Sequence, residues 1–159
     1  MAVSEWVLLA YRLPREPSTP RITLWRKLRR LGAVQVVDGL VTLPADPKTV
    51  EAFDWLADEV LEAGGEAWTW RARAGSKAQE QALQEQMKAA AIGEYKALLA
   101  EVEEQMAEPS RRGVDRLRRE LRRIEVRDHF SPREREQARR AIERLVAEVE
   151  RAESQGSPQ

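Results

Sequence analysis

An α+β fold is predicted for this 159-residue chain, on three observations. Over residues 1–75, short runs rich in Val, Leu and Trp alternate with stretches of helical period. Residues 76–154 carry helical period alone. Pro, Gly, Ser and Asp cluster at the joints between these runs, where turns and caps need them.

Glu5 to Leu13 (EWVLLAYRL) is a short apolar run closed by Pro14 and reads as a strand. Both its alternating sets, Trp6-Leu8-Ala10 and Val7-Leu9-Tyr11, are apolar, so a cover is expected on each face. The candidates for the second face are the C-terminal helices or a second copy of the chain. Ser18 or Thr19 caps a helix with Pro20 in its first turn. Ile22, Trp25, Leu28 and Leu31 give that helix its expected inner face, and Gly32 ends it. Two β-rich runs then flank Asp38-Gly39, the pair favoured in a type I′ hairpin turn. Asp46 and Pro47 start the next helix, with Val50, Phe53, Trp55, Leu56, Val60 and Leu61 as its apolar face. Gly64-Gly65 end it, and EAWTWRARAG carries Trp68 and Trp70 on one face of a last strand. The order is β-α-β-β-α-β, the ferredoxin-like split βαβ pattern.

Leu83, Met87, Ala91, Tyr95, Leu98, Val102 and Met106 mark a long helix that Pro109 breaks. Val114, Leu117, Leu121 and Ile124 mark a second. Ser131, with Glu134 three residues on as in a capping box, opens a third with stripe Ala138, Ile142, Leu145 and Val149. The expected organisation is a ferredoxin-like domain over 1–75, a helical extension over 76–154 and a disordered tail over 155–159.

Composition narrows the chemistry. There are no cysteines and a single histidine, which speaks against thiol catalysis, thiolate zinc sites and His-based metal sites. No apolar run reaches the roughly 18 residues of a membrane span, and a cytoplasmic protein is expected. Neutral overall, the chain is charged in blocks: residues 76–108 carry a net −4 and residues 109–144 a net +6. Arg outnumbers Lys 22 to 5, and Arg is the better fork for oxyanions.

The stretches WVLLAYRLPREPSTPRITLWRKLRRLGAVQVVDGLVTLP, FDWLADEVLEAGGEAWTW and RRIEVRDHF resemble the N-terminal domain of the chromate-resistance protein ChrB family. In that family a W-x-L-L-x-Y-x-L-P strand, here Trp6 to Pro14, precedes S-x-x-R-x-x-x-W-R-x-L-x-R-L-G, here Ser18 to Gly32. A G-x-x-x-L-P strand follows, here Gly39 to Pro44. The resemblance covers about residues 4–152. It implies a role in chromate resistance, for some members as DNA-binding regulators of a chromate-efflux operon. Longer members carry a separate C-terminal chromate-resistance domain. The strand–helix–hairpin pattern is also distantly similar to the middle domain of phenylacetate-pathway repressors and to the small CRISPR spacer-acquisition nucleases. The latter resemblance implies a metal-binding Asp near the end of the first strand, where this chain has Arg12. Arginine offers a cation no ligand, so the likeness extends to the fold and not to the nuclease chemistry.

Two basic sets are the candidate nucleic-acid or anion-binding residues. On the first helix they are Arg21, Arg26, Lys27, Arg29 and Arg30, with Arg12 at the strand end. On the helix after Ser110, Arg112, Arg116, Arg119 and Arg123 are spaced four, three and four apart and make one stripe, widened by Arg111, Arg118, Arg122 and Arg127. Such stripes contact phosphate backbone by releasing counterions. Alternatively they pair with the acids of neighbouring helices, among them Glu101, Glu103, Glu104 and Glu108. Trp25 and Trp55 are expected in the core, Trp68 and Trp70 under the C-terminal helices or at a dimer interface. Glu125, Asp128 and His129 form an acid–histidine cluster with weak metal-site character, since no second His lies at helical spacing. The expected protein is non-enzymatic, with no catalytic residue, metal or cofactor. Its expected partners are DNA, chromate or another oxyanion, and a second copy of the chain, with no membrane. The alternative is a dimerisation or interaction module for a separate chromate-resistance domain.

Overall fold

The computed structural model describes residues 5–156, and the chain divides into two compact units, Met1–Met87 and Lys88–Gln159. In the first, β1 (Trp6–Arg12), α1 (Thr19–Leu31), β2 (Val34–Val37), β3 (Leu40–Pro44), α2 (Pro47–Glu62) and β4 (Glu66–Ala72) follow in the expected order. The sheet order is β2-β3-β1-β4, and every neighbouring pair is antiparallel. Each helix crossover thus skips one strand, the split βαβ arrangement. Then come α3 (Lys77–Met106), α4 (Arg111–Arg127) and α5 (Arg133–Gly156). Of the disordered tail expected over 155–159, residues 157–159 lie outside the described residues, and 155–156 end α5.

The register of β1 sets two faces. Val7 pairs with Leu43 and Leu9 with Val41, and all four are buried. Leu24 and Leu28 of α1 and Phe53, Leu56 and Val60 of α2 complete this core. On the other face, Leu8 lies between Thr42 and Trp70, and Ala10 between Leu40 and Trp68. Trp6 on this face is buried, whereas Trp68 and Trp70 are 66% and 58% exposed. A cavity of about 390 Å³ lies there, lined by Trp6, Leu8 and Thr42 of the sheet and by Ala82 and Leu83 of α3.

Two helix faces differ from expectation. Ile22 and Trp25 are 48% and 47% exposed, and Trp55 and Leu61 are 65% and 54% exposed, so neither tryptophan is in the core. The reason is angular. At about 100° per residue, each three-residue step falls back about 60°. The series 22-25-28-31 therefore drifts half-way round α1, whereas Leu24, Leu28 and Leu31 stay within one narrow arc. On α2 the arc is Thr49, Phe53, Leu56 and Val60, all buried, and Trp55 and Leu61 are each one residue off it.

Local chemistry fixes the joints. Asp46 and Thr49 make a reciprocal capping box at the start of α2. Ser18 precedes α1 without a side-chain cap bond. The β2–β3 hairpin forms at Asp38-Gly39, but only Gly39 takes a positive φ, of 78°. A type I′ turn needs two. Asp38 instead accepts a 2.9 Å hydrogen bond from Gln35 Nε2, and the register shift between Gln35 and Val37 absorbs the strand twist.

In the second unit, Ala91, Tyr95, Leu98 and Val102 of α3 pack with Val114, Leu117, Leu121 and Ile124 of α4. Ala138, Ile142, Leu145 and Val149 of α5 complete a three-helix core. Ser131 does not act as the expected cap: its φ is 48°, and its hydroxyl accepts from Arg135 Nη1 at 2.8 Å. Asp128 closes the corner ahead of α5, accepting from the Phe130 and Ser131 N–H groups at 3.0 Å each.

Gly65 sits at the close approach of α2's end to β1. A Cβ there would lie 2.3 Å from the Arg12 carbonyl oxygen and 2.9 Å from a Val60 methyl. Backbone cannot yield as a flexible side chain can. Gly65→Ala is expected to destabilise the protein by about 1–3 kcal/mol, read as a lowered urea midpoint, with Gly93→Ala, which meets no atom within 4 Å, as the comparison that does not lower it.

Candidate functional site

The candidate site is built from the rotation of α4. Its buried stripe, Val114, Leu117, Leu121 and Ile124, fills one side of the helix. Eight arginines occupy the remaining arc. Four of them have acidic partners. Arg111 grips Glu153 of α5 through Nε and Nη2, both at 2.7 Å. This bidentate bond raises the Arg111 pKa and lowers that of Glu153. Arg116 bonds Glu101 of α3 at 3.0 Å, and Arg127 bonds Glu94 of α3. Arg123 pairs with Glu120 on its own helix at 2.7 Å.

The other four are different. Arg112, Arg118, Arg119 and Arg122 are exposed, and no ion pair forms between them and any described residue. Arg118 borders a small cleft that Asp115 and Glu150 also line. Arg112, Arg119 and Arg122 face solvent over ten residues of helix, about 15 Å at the α-helical rise. Of the stripe 112-116-119-123, two members are therefore free and two are paired. Arg118 and Arg122, named only as widening it, belong to the free set. Glu103, Glu104 and Glu108 are exposed and do not reach α4.

The first-helix set has other surroundings. Arg21 donates from Nη2 to the Arg15 carbonyl at 3.1 Å, and Lys27 bonds Glu59 of α2 at 2.6 Å. Arg26, Arg29 and Arg30 are exposed without an ion-pair partner among the described residues. Arg12 is exposed at the end of β1, in register with Glu66. The neighbouring α2 presents Glu51, Asp54, Asp58 and Glu62 to solvent, a feature that reading α1 by itself misses. It could have been found by placing α2 on the wheel from Phe53 and Leu56.

The acid–histidine cluster is structural in its bonding. Asp128 accepts from the Tyr95 hydroxyl at 2.7 Å. Burial, then this bond, pushes the Tyr95 pKa up, so the phenol stays a donor. Glu125 accepts from Arg135 and Arg139, with Nη2 distances of 2.6 and 2.5 Å. Among the described residues no group of three or more His, Cys, Asp or Glu is placed to hold a metal ion. Nor is any helix among them long and apolar enough to cross a membrane.

A family model described as "Protein ChrB, N-terminal" matches residues 21–112, from α1 to the second residue of α4. The "Protein ChrB" of Cupriavidus metallidurans is 33% identical over 75 residues, covering 47% of this chain. The matched stretch spans 23% of that relative's length. No solved structure matches the chain.

Glu125 generates a pH prediction. Burial pushes its carboxyl up, but the hydrogen bonds and charges of Arg139 and Arg135 outweigh burial and hold it below the ordinary range. A carboxyl depressed by folding adds stability that is complete above its unfolded pKa, about 4.3, and is lost as pH falls through the folded value. Glu125→Gln is therefore expected to lower the urea midpoint at pH 7, and the gap to the wild type should close below about pH 4. A gap that stays constant from pH 7 to 3 would contradict the assignment.

Proposed function

We propose, since the chain belongs to the ChrB N-terminal family, that it is a chromate-resistance-associated cytoplasmic module that regulates by binding DNA and carries out no catalysis. The observation that carries this reading is the unpaired arginine run on α4. Arg111, Arg116, Arg123 and Arg127 are neutralised by acids, and Arg112, Arg119 and Arg122 are left for an outside anion. The free charges are strung along the helix axis, which suits a polyanion held by many phosphates better than one tetrahedral oxyanion held in a pocket. Chromate then acts as the signal that changes DNA affinity. The α1 arginines contribute less, because α2 sets four acids beside them. Packed helices lie about 8–10 Å apart, close to the Debye length of about 8 Å at physiological salt. A phosphate over α1 still feels those acids.

A second reading has its own support. Trp68 and Trp70 leave a large exposed aromatic surface on the sheet beside Leu8 and Ala10. Such a surface suits a protein partner, for instance a separate chain carrying a chromate-resistance domain.

Fluorescence anisotropy with labelled DNA from upstream of the gene separates the two, with a scrambled duplex, a salt titration, and chromate against sulfate as controls. The wild type should prefer the upstream duplex, and chromate alone should release it. The triple variant Arg112→Ala, Arg119→Ala, Arg122→Ala should bind at least tenfold more weakly, with a salt slope shallower by roughly one for each arginine that no longer meets a phosphate. Wild-type binding that the triple variant retains would remove α4 from the reading. No binding to either duplex would leave the interaction module.

A further inference from the structure

The outward faces of α1 and α2 form one layer with two halves of opposite charge. On α1 the exposed residues are Ile22, Trp25, Arg26, Arg29 and Arg30. On α2 they are Glu51, Asp54, Trp55, Asp58 and Glu62. The helices lie side by side, joined at Lys27–Glu59. That single bond uses the facing edges and leaves the outward charges alone. Arg26, Arg29, Arg30, Asp54, Asp58 and Glu62 make no ion pair with any described residue. Each half also carries an exposed tryptophan, and Trp55 Nε1 reaches only Glu51, at 3.4 Å.

A uniformly charged partner gains over one helix and is repelled over the other. A partner that satisfies both must carry a negative strip beside a positive one, at the same helix–helix spacing. The chain itself presents that pattern. A two-fold axis lying between the two facing layers, parallel to the helices and midway between them, places each α1 on the α2 of a second copy, so every contact is made twice. Exposed tryptophans together with arginine side chains are residue types enriched at protein interfaces.

We propose that this layer is a homodimer interface in which Arg26, Arg29 and Arg30 of one copy meet Asp54, Asp58 and Glu62 of the other. The interface uses other residues than the α4 arginines and does not depend on whether DNA binds there.

A charge-swap experiment on the full chain tests it by sedimentation equilibrium. Variant one carries Arg26→Glu, Arg29→Glu and Arg30→Glu. Variant two carries Asp54→Arg, Asp58→Arg and Glu62→Arg. Glu and Arg are both good helix formers, and the positions are exposed, so both variants should keep the wild-type circular dichroism. The wild type is expected to be a dimer that weakens as salt rises from about 0.1 to 1 M, where the Debye length falls from about 10 to 3 Å. Each variant should be a monomer alone, and a mixture of the two should form a heterodimer. A chain carrying all six substitutions should dimerise again, which guards against a variant that fails to fold. A monomeric wild type, or single variants that remain dimeric, would overturn the proposal, the latter by placing self-association elsewhere, such as on the Trp68–Trp70 face.

Discussion

The burial of Val114, Leu117, Leu121 and Ile124 determines what every arginine on α4 can do. Burying such a side chain is worth about 1.5–3 kcal/mol, so four outweigh any exposed ion pair, worth about 0–1 kcal/mol. The apolar stripe therefore sets the rotation of the helix, and the salt bridges adapt to it. Once the rotation is set, Arg116 and Arg127 fall beside α3 and Arg111 beside α5, where Glu101, Glu94 and Glu153 meet them. Arg112, Arg119 and Arg122 fall where no neighbouring helix reaches. Their freedom follows from core packing.

Much of this is legible in the sequence. The order of the six elements follows from turn residues: Pro14, Gly32, Asp38-Gly39, Asp46-Pro47 and Gly64-Gly65 each stand at a joint. The apolar positions of α4 and α5 are likewise found where their spacing of three and four puts them. The misplaced residues are tryptophans. Size argues for Trp25 and Trp55 in the core, yet each stands to one side of a helix whose inner arc is already filled by leucine, phenylalanine and valine. Bulk says how much burial would gain, and angle says whether it can happen. What cannot be read from one helix at a time is the pairing. Arg116 and Arg112 look equivalent along α4, and only the position of Glu101 on another helix separates them.

Two charged surfaces result, and they differ in kind. The α4 surface has one dominant sign, because eight arginines outnumber Asp115, Glu120 and Glu125 on that helix. The α1–α2 layer is nearly balanced, because its carboxylates stand on a parallel strip. The first offers attraction at long range with little orientation. The second offers weak net attraction but a defined alignment, since a slip or a half-turn brings like charges together. The chain thus carries a field of one sign and a patterned one on separate elements.

Among the 17 residues of α4 there is no lysine and no histidine. Guanidinium groups hold their proton at any pH a cell reaches, so acidification or alkalinity within that range leaves the charge on this helix unaltered. Enzymes that acylate amino groups find no substrate on it either. The dials left are the ionic atmosphere, which screens the free guanidiniums, and the carboxylates of α3 and α5, which compete for the paired ones. A shift in these would change grip without changing charge.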